Sequence, residues 1–161
     1  MTKMTNQSYT TQVSIIKNEE CVIMDLIDYG PRALTMDVVK AALNNNNFRS
    51  TLWTGKHLQL TLMTIRTGDD IGLEMHHDTD QFLFVAEGSA TALVGASKDS
   101  LAKYPMFCEH VLFVPAGTYH NVINTGNRPL RLISVYGPPN HPHGTVHRTK
   151  KDAMEDEHDH N

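Results

Sequence analysis

Cysteine is scarce, with only Cys21 and Cys108 in 161 residues. They make neither a disulfide framework nor a Cys-x-x-Cys pair, so a reducing cytoplasm is the expected setting. A dominant charge is lacking too. The formal charge of −4 and pI near 6.2 offer no general attraction for nucleic acid or an anionic membrane surface. No apolar run approaches the ~20 residues that cross a bilayer. The opening MTKMTNQSYTTQ has no apolar core of signal-peptide length. Internal repeats and a glycine-rich phosphate loop are also missing. What is left is an ordinary globular composition, 40% hydrophobic and 20% charged, in a chain long enough for one domain with a real core.

Histidine is the exception, with ten copies. It is the commonest metal-binding side chain and the proton carrier of physiological pH, so its placement matters. The first thirty residues mix short apolar runs with polar spacers and read as one or two peripheral strands. Residues 33–43, ALTMDVVKAAL, suit a short helix with Thr35 as N-cap, Asp37 near its start and Lys40 near its end. The asparagine run 44–47 stops it. From Phe48 the period changes to two. Strands are expected at 48–54, around Leu58–Met63, and at 72–76, 81–87, 89–94, 111–114, 119–124 and 130–136, separated by turn chemistry such as Pro115-Ala116-Gly117. Many short strands with little helix argue for an all-β sandwich or barrel. Three parts follow: peripheral strands and helix over 1–47, a barrel over 48–137, and a polar, proline- and histidine-rich extension over 138–161. That extension is expected to leave the core and end disordered.

Between two apolar runs lies GLEMHHDTDQFLF, residues 72–84, which is oddly polar for its place. Residues two apart on a strand share a face, so Glu74 pairs with His76, and Gln81 with Leu83 and Val85. His77 and Asp80 fall on the opposite side, toward solvent or a rim. A second polar island, PAGTYHNVIN, puts His120, Val122 and Asn124 on one face. If these faces point inward, Glu74, His76, Gln81 and His120 offer a carboxylate, two imidazoles and a carboxamide to a divalent metal. Two alternatives stay open: a salt bridge from Glu74 to Arg49 or Arg66, and Gln81 orienting a ligand rather than being one.

The spacing Gly68-x5-Glu74-x-His76-x4-Gln81-x6-Gly88, followed by Pro115-x-Gly117-x2-His120-x3-Asn124, resembles the two motifs of the cupin superfamily. The match spans roughly residues 66 to 126. Two family ligands differ here: Glu74 stands for the first histidine and Gln81 for the glutamate, and the changes compensate in charge. The opening glycine of the second motif is Glu109. The resemblance implies a double-stranded β-helix (jelly-roll) barrel with a short N-terminal helix and a metal inside. Zinc is the first expectation, with iron, manganese, nickel or cobalt as alternatives, and a homodimer is implied.

The chain also resembles small cupins likened to mannose-6-phosphate isomerases, though it has no room for those enzymes' helical domain. The expected function is a metal-dependent, isomerase-like enzyme using the metal as a Lewis acid on a small oxygen-rich, sugar-like substrate. The proton would be moved by His57, Tyr119 or Tyr136. A non-catalytic sugar- or small-ligand-binding cupin with a structural metal, and an iron-dependent dioxygenase, are the alternatives. His141, His143 and His147 are within reach of the site or of a partner subunit, with a solvated tail as the favoured reading.

Overall fold

The computed structural model describes residues 25–159. Two antiparallel sheets face each other. Eleven elements are described: α1 (Val38–Asn44), β1 (Arg49–Thr54), β2 (Gln59–Ile65), β3 (Asp80–Glu87), β4 (Ser89–Ser97), β5 (Ser100–Phe107), β6 (Val111–Val114), β7 (Tyr119–Asn124), β8 (Leu130–Gly137), β9 (Val146–His147) and α2 (Lys150–Asp159). The larger sheet runs β6-β3-β8-β2-β1-β9 and the smaller β5-β4-β7. This is the jelly-roll barrel that the two motifs imply.

The register sorts the barrel interior into two ends. Across β2, β8 and β3 the inward rows are Gln59–Tyr136–Gln81, then Thr61–Ser134–Leu83, then Met63–Leu132–Val85, with Ile65–Leu130 beyond. All are buried. The first rows are polar and the last apolar, so one end of the barrel carries chemistry and the other carries the core. That core also takes Ala90, Ala92 and Val122 from the opposing sheet, together with Met106. On the outer face Leu52, Leu62 and Ile133 are covered by Ala41 and Ala42 of α1 and flanked by Leu26, Tyr29 and Met36. Parity alone leaves the face of Gln59, Thr61 and Met63 open; their complete burial in the barrel decides it.

Some boundaries differ from expectation. Asp37, not Thr35, is the N-cap of α1, its carboxylate accepting from the Lys40 N–H at 2.9 Å. Residues 72–76 form no strand; only Glu74 bridges, to His120. Strand β5, SLAKYPMF, has no counterpart among the expected strands. As an exposed edge strand it tolerates Pro105, which a central strand would not. The peripheral strands read in the first residues fall mostly outside the described part.

The largest correction concerns the extension after Pro138. Instead of leaving the core it returns: β9 pairs with β1 (Arg49↔His147, Ser50↔Val146), and α2 buries Ala153 in the barrel core. Two features anchor α2. Thr149 and Asp152 form a reciprocal capping box, each side chain reaching the other's N–H. Lys150 Nζ donates to Asp69 at 2.8 Å and Asp70 at 2.6 Å. No helix among the described residues is long and apolar enough to cross a membrane.

Candidate metal centre

Glu74 and His120 sit opposite each other in an isolated antiparallel bridge. The Glu74 N–H donates to the His120 carbonyl at 3.0 Å, and the His120 N–H donates back at 2.9 Å. His76 follows in the loop, its carbonyl accepting from the Gly117 N–H at 2.7 Å. Gly117 has φ +76°, a left-handed conformation that glycine adopts without strain, so the Pro115-Ala116-Gly117 turn docks His76 against the barrel. The result is a trio of Glu74, His76 and His120 with ligand atoms all within 4.8 Å of one another.

Glu74 Oε1 lies 3.3 Å from His120 Nε2 and 3.7 Å from His76 Nε2. Atoms held about 2.1 Å from a tetrahedral zinc lie roughly 3.4 Å from one another, so these separations fit one small divalent ion. Glu74 Oε1 and His76 Nε2 are sealed from solvent yet make no hydrogen bond of good geometry. Such orphaned groups are costly unless something coordinates them. The trio therefore fits a metal. The donor set of one carboxylate and two imidazoles suits zinc or iron alike.

The neighbours tune these three. His120 Nδ1 donates to the Thr118 carbonyl at 3.1 Å, which places its proton on Nδ1 and turns Nε2 toward the centre. Gln81 Oε1 stands 2.7 Å from that Nε2, and the Gln81 amide donates to Ser134 Oγ at 2.9 Å. Gln81 is thus buried against His120; with the imidazole proton on Nδ1, Oε1 and Nε2 are two acceptors facing each other, an arrangement that a shared cation would relieve. Arg49, fully buried, places Nη2 4.0 Å from Glu74 Oε2. The ion pair expected as a competitor is real, but it uses the other carboxylate oxygen, so both roles coexist. Arg66 is exposed. Burial disfavours the charged form of Glu74, but the His120 and His76 imidazoles and the Arg49 charge outweigh it and hold the carboxyl well below its usual range. Glu74 is ready as an anionic ligand.

The three proton-transfer candidates separate. His57 is exposed beside the β1–β2 turn, outside the site. Tyr119 alternates with His120 and faces the other way, 5.7 Å under Lys98 Nζ. Tyr136 is buried in the polar row, its ring 5.7 Å from that of His76. Burial pushes its phenol up to about 12, so Tyr136 is a proton donor and not a base at neutral pH. His77 and Asp80 are exposed.

Two residues that the sequence left undecided come to the site, against the favoured solvated-tail reading of His141. His141 stacks edge-on against Tyr136 with ring centroids 5.2 Å apart, and burial, helped by the Arg49 charge, drives its imidazole down to about 3, keeping it neutral. Gln59 holds it in place. Its Oε1 accepts from the Asn140 N–H (3.2 Å) and the His141 N–H (2.9 Å), and its amide donates to the His141 carbonyl at 2.8 Å. No local spacing links positions 82 residues apart.

Comparison with known proteins agrees with this fold. Residues 61–136 match the Cupin domain family. The protein YrkC of Bacillus subtilis strain 168 is 52% identical over 130 residues, covering 80% of this chain and 70% of its own. The crystal structure of BH2720 from Bacillus halodurans superposes with a TM-score of 0.79 at 51% identity, over 80% of this chain and 98% of that one. A segment of 81 residues is 28% identical to the xanthan biosynthesis protein XanB of Xanthomonas campestris, covering 50% of this chain and 16% of that protein. With the double motif, the barrel and the trio at its polar end, the chain belongs to the cupin family.

Proposed function

We propose that this cupin is a metal-dependent enzyme acting on a small oxygen-rich, sugar-like molecule, with isomerase-like chemistry. The observation that carries the reading is the convergence of Glu74, His76 and His120 around orphaned buried atoms. Glu74, His76 and His120 would hold the metal, with Gln81 beside them. A bound divalent ion would supply Lewis acidity toward a ligand oxygen. Three protein ligands leave room for that oxygen, the arrangement of catalytic rather than structural sites. Glu74 and His76 keep 16% and 13% of their side chains exposed, so the centre lies close to the surface although Oε1 and Nε2 themselves are sealed. Tyr136 would donate a hydrogen bond, and Arg49 would supply positive charge inside the barrel. The resemblance to a xanthan biosynthesis protein supports a sugar-derived ligand.

The test is metal analysis of untagged protein purified without added metal, followed by aldose–ketose isomerisation assays on the loaded form. About one equivalent of metal, lost on chelation together with turnover, is the expected result. Metal without any turnover would favour a binding protein, and no metal at all would end the reading.

A homodimer in a reducing cytoplasm belongs to the same proposal. Cys108, the one cysteine among the described residues, is a free thiol. The outer sheet face leaves Phe113 70% exposed beside Phe82, with Leu58 and Val111 also exposed. Contiguous apolar surface of this kind marks interaction sites. Phe113→Glu should turn a dimer into a monomer by light scattering without changing metal content; a wild-type monomer would refute the dimer.

A further inference from the structure

His141 is a half-buried imidazole beside the site that neither the metal trio nor the barrel frame uses. Its Nε2 is sealed from solvent and makes no hydrogen bond, while its ring lies against Tyr136, which in turn lies against His76. This placement is built rather than incidental. Completely buried Gln59 makes three hydrogen bonds to the backbone of residues 140 and 141 and anchors its own amide to Thr54 Oγ1 at 2.9 Å. A second clamp holds the same segment further on, where Asp28 accepts from the Gly144 N–H at 3.1 Å. A solvent-facing tail needs no such clamps. They fix the backbone that carries His141, whose Nε2 is left without a hydrogen-bond partner.

Resting on the metal reading above, we propose that His141 is a ligand-contacting residue: its Nε2 accepts a hydrogen bond from the hydroxyl of an α-hydroxycarboxylate-type ligand bound at the Glu74–His76–His120 centre. Charge selects the carboxylate. A divalent ion with one carboxylate ligand and the buried Arg49 alongside leaves the pocket positive, so an anionic oxygen ligand balances it. The imidazole selects the hydroxyl. A buried acceptor left unpaired penalises a ligand that lacks the matching O–H, which is how buried polar groups discriminate between analogues. Gln59 is the positioning residue for this contact, acting through the backbone of His141.

The experiment uses cobalt(II)-loaded full-length protein, with ligand binding followed by the cobalt absorption bands. The probes are glycolate and methoxyacetate, which share a carboxylate and an ether-or-hydroxyl oxygen at the same spacing but differ in the O–H. Wild-type protein should prefer glycolate by about tenfold, the worth of one hydrogen bond to a buried group. His141→Leu keeps bulk without an acceptor and should abolish the preference; His141→Gln keeps an acceptor and should retain part of it. Gln59→Met should weaken the preference with His141 still present. Cobalt content should be equal in all four proteins, and thermal melts check that each is folded.

A preference that survives His141→Leu, or is missing in wild type, overturns the proposal. So does loss of cobalt in His141→Leu, which would make His141 a metal ligand instead. Failure of wild type to take up cobalt is read before any probe is added, and it overturns the metal reading itself, and this proposal with it.

Discussion

His120 Nε2 stands 3.3 Å from Glu74 Oε1, across a bridge in which each residue's N–H donates to the other's carbonyl. The backbone pairing sets the side-chain distance, so the site does not depend on long flexible side chains finding each other. Its third member, His76, is fixed separately through the Gly117 turn. Two independent backbone anchors position the three ligands before any metal arrives.

The sharpest prediction compares neighbours. His76→Ala removes a ligand from the trio and should abolish stoichiometric zinc or cobalt binding by equilibrium dialysis. His77→Ala, at an exposed position, should leave metal content unchanged. Metal that follows His77 and ignores His76 would refute the assigned register. His120→Ala should match His76→Ala and should also leave Gln81 without its imidazole neighbour.

Gln81→Glu should split stability by metal state. The new carboxylate would lie beside His120 and share a buried space with Glu74, and two carboxylates in one site resist ionising together. The metal-free variant should melt lower than wild type, by several degrees for a loss of about 1–2 kcal/mol. With metal the order should reverse, because a second anionic ligand attracts the cation. Melting curves with chelator and with one equivalent of zinc read both signs. A uniform shift in the two conditions would place Gln81 outside the metal's reach.

How much of this was legible in the sequence depends on the distance over which each signal acts. The motif spacing from Gly68 to Gly88 and from Pro115 to Asn124 is local, and it pointed to Glu74, His76 and His120, which the fold brings together beside Gln81 even though 72–76 is loop and not the strand that parity assumed. Asn124 shows why such spacing is reliable: its amide donates to the carbonyls of Ile65 and Arg128, tying three segments at one point. The meeting of His141 with Gln59 was not legible, because the fold creates it over 82 residues. Helix α2 was hidden differently. Composition alone made the extension look solvated, although Thr149-Lys150-Lys151-Asp152 carries a capping-box pattern and Ala153 is the small apolar residue that fits a crowded core.

The packed extension makes its own prediction. Ala153→Asp forces a charge into the core and should destabilise the protein by at least about 2 kcal/mol in urea unfolding. Lys150→Ala breaks partly exposed ion pairs with Asp69 and Asp70 and should cost only about 0.5–1 kcal/mol. The Ala153 amide, bonded to the Thr149 carbonyl, should exchange slowly with solvent. Equal, negligible effects from both substitutions would mean that α2 does not stay docked in solution.

Acid should loosen the segment that carries His141, and Asp28 is the group through which it acts. Burial opposes ionisation of Asp28, but the Thr54 hydroxyl and the N–H groups of Gly144 and Gly30 donate to it and hold its carboxyl below the ordinary value. A depressed carboxyl contributes stability that is fully present above the unfolded value near 3.9 and is lost as pH falls through the folded one. Asp28→Asn keeps the shape without the charge, so it should be less stable than wild type at pH 6 by about 1–3 kcal/mol. The gap should begin to close below about pH 4, where the unfolded chain takes up the proton while folded Asp28 is still ionised, and should vanish once pH falls through the depressed folded value. Urea melts of the two proteins in chelator, taken between pH 6 and 3, isolate this from the metal ligands, whose titration is common to both. A gap that stays constant across that range would show that the hydrogen bonds at Asp28 do not depend on its charge, and the acid sensitivity of the His141 segment would then have to arise elsewhere.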